Sequence, residues 1–316
     1  MTERSEPTPP EGGLASLWAA PRTAHVLLFV APVMFNANML TARATADFIP
    51  PVALAFWRWA VVFLILLAFV GPRLWVRRHA IAREWKDLLA LGALGMGACG
   101  AFVYIGADTT TATNIGLIYA ASPVLIVVLA RLAYGEPLSL RQAVGTLVAL
   151  AGVVVIVAQG ELSVLAGLRF TPGDLWIVGA TAAWAVYAVL LRYRPSEMGP
   201  MTRFGAIVMF GVLVLLPFHL WELAAGAVPV PDGRTITAVL TVAVIAGFGA
   251  YQVYGRVQET LGAAKAGLIL YLSPVFNSLL AFLLLGEQLR AFHFAGAVLI
   301  LTGIYLATAR QPKTKS

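Results

Sequence analysis

Apolar residues in this chain come in long unbroken runs. They show neither the in/out alternation of strands nor the one-sided stripe of a soluble helix. Ten runs approach the length of about 20 residues that a helix needs to cross a bilayer. They cover roughly 25–44, 52–71, 87–107, 112–132, 141–158, 174–192, 203–221, 236–256, 262–283 and 291–309. Strands of a membrane barrel would be about 10 residues long and would alternate, so these runs predict helices. The expected fold is all-α and polytopic, with ten transmembrane helices. Residues 1–24, with Pro7, Pro9, Pro10, Glu3, Glu6 and Glu11, predict a disordered tail. They lack the basic start and short apolar core of a signal peptide. Residues 310–316 predict a second tail.

Composition strengthens this picture. Of 316 residues, 60% are apolar and 12% charged, with a mean hydropathy of +0.84, whereas soluble chains carry about 45–50% and 25%. The net charge of +7 and a pI near 9.8 raise nucleic acid as a partner. Against that, the basic residues form no face of their own and sit in short gaps between apolar runs. With the N-terminus placed in the cytoplasm, 17 of the 22 Lys and Arg fall in inner segments. Arg43, Arg169, Arg234 and Arg290 fall outside, and Arg58 is left within a span. This asymmetry predicts cytoplasmic termini in a bacterial inner membrane. Trp18, Trp75, Trp85, Trp176 and Trp221 lie near proposed span ends, where interfacial tryptophans belong. Cys99, alone of its kind, can form no intrachain disulfide.

The chain also repeats itself. Shifted by 151 residues, the segment from about 88 to 158 aligns with the second half without a gap. Gly116-Leu117-Ile118 falls on Gly267-Leu268-Ile269, and Ser122-Pro123-Val124 on Ser273-Pro274-Val275. Gly135-Glu136 falls on Gly286-Glu287, Gly145 on Gly296, and Gly152 on Gly303. Each half, 25–158 and 174–309, holds five spans. An odd number makes the second half enter the membrane upside down. Inverted repeats of this kind build many secondary transporters, with the cargo site near midplane where the halves meet. A duplication kept for packing alone is the structural alternative.

Ten helices, the repeated Ser-Pro and Gly-Glu, the Arg of Phe56-Trp57-Arg58-Trp59 and the paired glycines of the fifth and tenth spans resemble the EamA-type drug/metabolite transporter superfamily. The resemblance covers about residues 25–309, and within the superfamily the chain looks most like bacterial amino-acid exporters, including those for aromatic amino acids. It implies alternating access to a central cavity lined mainly by the first, third, fourth, sixth, eighth and ninth helices. The spans lack the basic cluster of the phosphate-translocating relatives, which lowers sugar phosphates as cargo and leaves nucleotide sugars or other metabolites as the alternative.

Polar residues within spans mark candidate contacts, because burying them in lipid is costly. Asn36 and Asn38, flanked by Phe35 and Met39, offer carboxamides for an ammonium or a carboxylate. Their structural alternative is an interhelical hydrogen bond. Repeat symmetry puts Trp184 and Tyr187 at the corresponding depth of the sixth helix, and Tyr104, Tyr251, Gln252 and Tyr254 add aromatic and polar surface. Such rings suit a pocket for an apolar body, and also simply pack. Arg58 can bind a carboxylate bidentately, snorkel to the outer interface or pair with backbone carbonyls. Lys265 reads as a positive-inside anchor, and Glu136 and Glu287 as caps at helix ends. Pro123 and Pro274, each after a serine, predict paired kinks that act as hinges or as fixed bends. Gly92, Gly95, Gly97 and Gly100 permit close approach or bending in the third helix.

No Asp or Glu sits mid-span, and His25, His79, His219 and His293 lie near span ends. Facilitated or exchange transport is therefore expected, without a membrane carboxylate as proton relay. No H-E-x-x-H, G-x-S-x-G or P-loop occurs, so the sequence predicts neither an intramembrane enzyme nor a primary pump, and no catalytic residue, metal or cofactor. The expected partners are a small amphipathic metabolite and the bilayer. The sequence sets no oligomeric state, and a monomer is compatible with it.

Overall fold

The computed structural model describes residues 21–285 and 288–308. Gly286, Glu287, Trp18 and most of both expected tails lie outside the described residues. Ten principal helices follow one another: α1 (Pro21–Thr45), α2 (Pro51–Val76), α3 (Trp85–Ala107), α4 (Thr113–Tyr134), α5 (Leu140–Val157), α6 (Pro172–Tyr193), α7 (Pro200–Ala224), α8 (Gly233–Leu261), α9 (263–285) and α10 (Ala291–Thr308). Short helices Arg78–Arg83 and Leu162–Ala166 lie in connections. Among the described residues, α2 to α8 and α10 are long and apolar enough to cross a membrane, and α1 contributes the shorter apolar stretch Phe29–Ala42. Large apolar side chains such as Leu64, Phe69, Leu132, Leu140 and Tyr305 point outward, where a soluble protein would carry charge. Trp75, Trp85, Trp176 and Trp221 are exposed as well.

Local chemistry sets the helix ends. Thr111, Ser139 and Asp232 accept hydrogen bonds from the backbone N–H of Asn114, Gln142 and Thr235, at 3.1, 3.1 and 2.8 Å, satisfying first-turn donors. Pro51, Pro172 and Pro200 open their helices, where the missing N–H costs nothing. Gly135, at φ 66°, closes α4 in the left-handed conformation that glycine adopts without strain.

The 151-residue repeat reappears in the backbone. α3 carries a π-helical stretch at Gly92–Ala98, and α8 carries one at Val242–Gly249. Where paired kinks are expected, α4 breaks between Tyr119 and Ser122, and α9 passes through a 3-10 segment, Leu268–Leu272, before Ser273. Both irregularities precede a Ser-Pro pair, since proline clashes with the preceding turn and withholds a helical N–H. Packing follows the same exchange. α5 packs on α10, α2 on α7 and α4 on α9; α3 packs on α6 and α7, as α8 does on α1 and α2; and α4 packs on α6 as α9 does on α1. For these pairs, replacing each helix by the one five places away returns the same pairs, consistent with a duplicated fold, while α2 also packs on α3 in the first half.

The seam between α5 and α10 is made of backbone. A Cβ at Gly145 would lie 2.6 Å from the carbonyl oxygen of Gly303, and one at Gly152 would lie 2.6 Å from that of Gly296. Residue numbers rise on one helix as they fall on the other, so the two run antiparallel. Without a hydrophobic drive between helices in lipid, such close contact is a main source of association.

Candidate functional site

A cavity of about 520 Å³ lies between the halves, within the range that holds small ligands. α1 contributes Phe35, Asn36, Met39 and Leu40; α4 contributes Thr113, Ile115, Gly116, Tyr119 and Ala120; α9 contributes Leu270, Ser273, Pro274, Asn277 and Ser278. Arg58, Cys99, Trp184 and Tyr251 add one side chain each from α2, α3, α6 and α8. Val153, Ile156 and Val157 of α5, Gln159 beyond it and His293 of α10 extend the wall further than the six helices expected. Thr113, Gln159 and His293 belong to the ends where α4 and α10 begin and α5 finishes, so the cavity reaches toward that face.

Its deep end is an aromatic cage. Trp184 packs against Phe35 at 5.4 Å between ring centroids, Tyr254 at 4.9 Å, Tyr187 at 5.5 Å and Tyr251 at 5.6 Å. Tyr251 also meets the ring of Trp59 edge-on at 4.9 Å and donates its hydroxyl to the Gly95 carbonyl at 3.0 Å. The α3 glycines make room for this. A Cβ at Gly95 would strike the Tyr187 ring at 2.6 Å, and one at Gly100 would come within 3.0 Å of Trp59 Nε1. Gly92 instead meets the α7 backbone at Gly211. The indole N–H of Trp184 and the hydroxyl of Tyr254 are buried without a hydrogen-bond partner. Buried donors of that kind stay costly until something satisfies them.

Beside the cage lies a polar cradle. Arg58 is buried, with 3% of its surface exposed, so it does not snorkel. Its Nη1 donates to Asn38 Oδ1 at 2.9 Å and to the Tyr104 hydroxyl at 3.3 Å, and its Nη2 donates to the Ala246 carbonyl at 3.1 Å. Tyr104 in turn donates to Asn38 Oδ1 at 2.5 Å. The guanidinium stands 4.7 Å from the centre of the Trp59 ring. Among the described residues no ion pair involves Arg58.

The eight candidate contact residues thus separate into three groups. Phe35, Asn36, Trp184 and Tyr251 line the cavity. Tyr187 and Tyr254 back the cage, and Asn38 and Tyr104 hold Arg58. Asn36 also donates from Nδ2 to the Ser273 carbonyl at 3.1 Å, joining α1 to the bend in α9. Pro274 lines the cavity; Pro123 packs near Gly267, whose Cβ would lie 3.7 Å from the Pro123 Cα. Sequence reading passed over Tyr119, Gln159, Asn277 and Ser278. The spacing of Ser273 and Asn277, one helical turn apart on the proline-bent helix, was the available signal. Lys265 donates to the Thr308 carbonyl at 3.2 Å, at the end of α10.

Glu136 departs from the capping role expected of it. Gly135 closes α4, while the Glu136 carboxylate accepts a hydrogen bond from the Tyr193 hydroxyl, tying α4 to α6. At the other end of that helix pair, the buried Asp174 carboxylate accepts from Thr110, from Asn114 Nδ2 at 2.8 Å and from the Thr171 N–H at 2.7 Å. Among the described residues, no cluster of His, Cys, Asp and Glu is arranged to hold a metal ion.

Comparison with known proteins places these features in context. Residues 22–158 and 171–309 each match the EamA-like transporter family. An uncharacterized transporter of Bacillus subtilis, YyaM, is 25% identical over 92% of this chain and 95% of its own. An uncharacterized transporter of Archaeoglobus fulgidus is 28% identical over 91% and 98%. A probable terminal-alkyne amino-acid exporter of Streptantibioticus cattleyicolor is 28% identical over 81% and 84%. A crystal structure 20% identical in sequence superposes with a TM-score of 0.71, covering 92% of this chain and 97% of the other, a likeness of fold.

Proposed function

Because the chain belongs to the EamA-like transporter family, a family of membrane transporters and not of enzymes, we propose that it exports small amphipathic metabolites, amino acids first and aromatic ones among them. The observation that carries this reading is the cavity between the halves, lined at one end by Phe35, Trp184 and Tyr251, backed by Tyr187 and Tyr254, and edged by Asn36. An aromatic floor suits the apolar body of such a cargo, and the unpartnered indole N–H of Trp184, a lining residue, supplies a donor. The exporter from Streptantibioticus, an amino-acid exporter by name, favours the same cargo class.

In this reading ten helices cross the membrane, as two five-helix halves, 25–158 and 174–309, of opposite orientation. The antiparallel contact of the equivalent helices α5 and α10 supports the inversion. The distribution of Lys and Arg supports cytoplasmic termini in a bacterial inner membrane. The cavity then opens outward, past Thr113, Gln159 and His293. Alternating access closes that side and opens the inner one, with the breaks at Pro123 and Pro274 as hinges. Transport proceeds by facilitated or exchange movement, since the cavity wall carries no Asp or Glu among the described residues.

The test is uptake of radiolabelled phenylalanine, threonine and methionine into proteoliposomes, beside empty vesicles. Uptake is expected to saturate, to be suppressed by unlabelled amino acids and to fall about tenfold or more in Trp184→Ala, which removes the centre of the cage. No uptake of any amino acid by folded protein would overturn the cargo class. Uptake that persists only under an imposed proton gradient would overturn the transport mode.

A further inference from the structure

The cavity wall is electrically one-sided. Arg58 is its one permanent charge among the described residues, and no carboxylate faces it. A buried guanidinium whose charge is not compensated is costly, and a neutral cradle offsets only part of that cost. A guanidinium carries five N–H donors. Two on Nη1 are taken by Asn38 and Tyr104, and one on Nη2 by the Ala246 carbonyl. Nε has no partner, which leaves its N–H and the second hydrogen of Nη2. Arg58 therefore keeps two donors that no protein group satisfies, and a carboxylate can accept from them.

Nε itself is buried beside the α8 backbone at Gly247, where Val62 also packs, and Arg58 meets the cavity as one of its lining residues. Gly247 stands opposite Nε, and a Cβ built there would lie 3.4 Å from it. The backbone at this point belongs to the π-helical stretch of α8, which also turns the Ala246 carbonyl toward Nη2. Asn38, Tyr104 and the Trp59 ring hold the group from its other sides. The arrangement fixes the orientation of Arg58 without neutralising it.

We propose that Arg58 is the subsite for a carboxylate on the cargo, and that the cavity selects amphipathic organic acids. Such an acid has an apolar or aromatic body and one carboxylate, and an amino group is permitted but not required. This rests on the exporter reading for the identity of the site, and sharpens it. The cage takes the apolar body, and Arg58 takes the anion. An ammonium would meet only neutral acceptors such as Asn36, Asn277 and Ser278. A phosphate monoester, at about −1.5 to −2 charge, would exceed what one guanidinium with two free donors can balance.

The experiment is thermal unfolding of the purified full chain at neutral pH with three related probes: 3-phenylpropionate, which lacks the amine; 2-phenylethylamine, which lacks the carboxylate; and phenylalanine, which has both. A ligand that binds the folded state raises Tm, and by more the further its concentration exceeds its Kd. The acid and the amino acid are expected to stabilise, with apparent affinities about tenfold or more above that of the amine. Arg58→Gln is expected to abolish the acid's shift, and Arg58→Lys to weaken it while keeping the charge. If Arg58→Gln does not fold, Arg58→Lys and the wild-type series still decide. Equal stabilisation by amine and acid, no stabilisation by the acid, or an acid shift unchanged in either Arg58 variant would overturn the proposal. The two readings fail separately. Binding of 3-phenylpropionate through Arg58 without amino-acid uptake would leave the subsite and remove the amino-acid cargo. Phenylalanine uptake inhibited equally by amine and acid would do the reverse.

Discussion

α4 packs on α6 as α9 packs on α1, yet the two pairs are joined by different means. At one end of the first pair, Asp174 collects hydrogen bonds from Thr110, Asn114 and the Thr171 N–H, and Asn114 also reaches the Arg169 carbonyl at 3.0 Å. At the other end Tyr193 donates to Glu136 and stacks on Tyr134 at 4.2 Å between centroids. The second pair is bridged, among the described residues, by one side-chain bond near its middle, from Asn36 to the Ser273 carbonyl. The repeat places Lys265 where the first pair has Asn114. Lys265 turns away to Thr308. The duplicated backbone is thus fastened at both ends on one side and at a single midpoint on the other. The singly fastened pair supplies nine of the cavity-lining residues, against six from α4 and α6 together. A scaffold facing a movable wall is the expected outcome.

That contrast can be attacked at its strongest point first. Asp174→Ala strands the Thr110 and Asn114 donors in a buried setting, and should lower stability by about 3 kcal/mol in thermal or denaturant unfolding. A change near zero would remove the case for a fixed pair. Tyr193→Phe keeps the ring stack and deletes only the bond to Glu136. A loss of about 1 kcal/mol is expected, with cargo uptake unchanged, because this pair is not the one that moves. Lys265→Ala, on the loose side, should cost no more than about 0.5 kcal/mol. A loss matching that of Asp174→Ala would mean that both pairs are clamped alike.

Much of this was legible in the sequence, and the reasons differ by residue. Both Ser-Pro breaks follow from covalent geometry, so Pro123 and Pro274 announced them. The cage aromatics stood out as polar-tipped rings at matching depth. The π-helical stretches had no such mark: Gly92–Ala98 reads as ordinary apolar helix, and only its packing against Tyr187 and Gly211 reveals what the glycines serve. Glu136 read as a cap because local sequence cannot show that Tyr193, on another helix, comes within reach. Arg58 was ambiguous for a similar reason, since its partners arrive from α1, α3 and α8.

The backbone seam between α5 and α10 carries a consequence for assembly. Gly145 faces Gly303 and Gly152 faces Gly296, while the repeat makes Gly145 equivalent to Gly296 and Gly152 to Gly303. Each glycine therefore meets the counterpart of its helix-mate, which is the definition of an isologous contact. Such a surface is self-complementary: two separate copies of one half, inserted in opposite senses, would present it to each other unchanged. Joining them in a single chain then relaxes the demand for identity everywhere except at that line. One copy is free to keep an Asp174 clamp and the other to lose it.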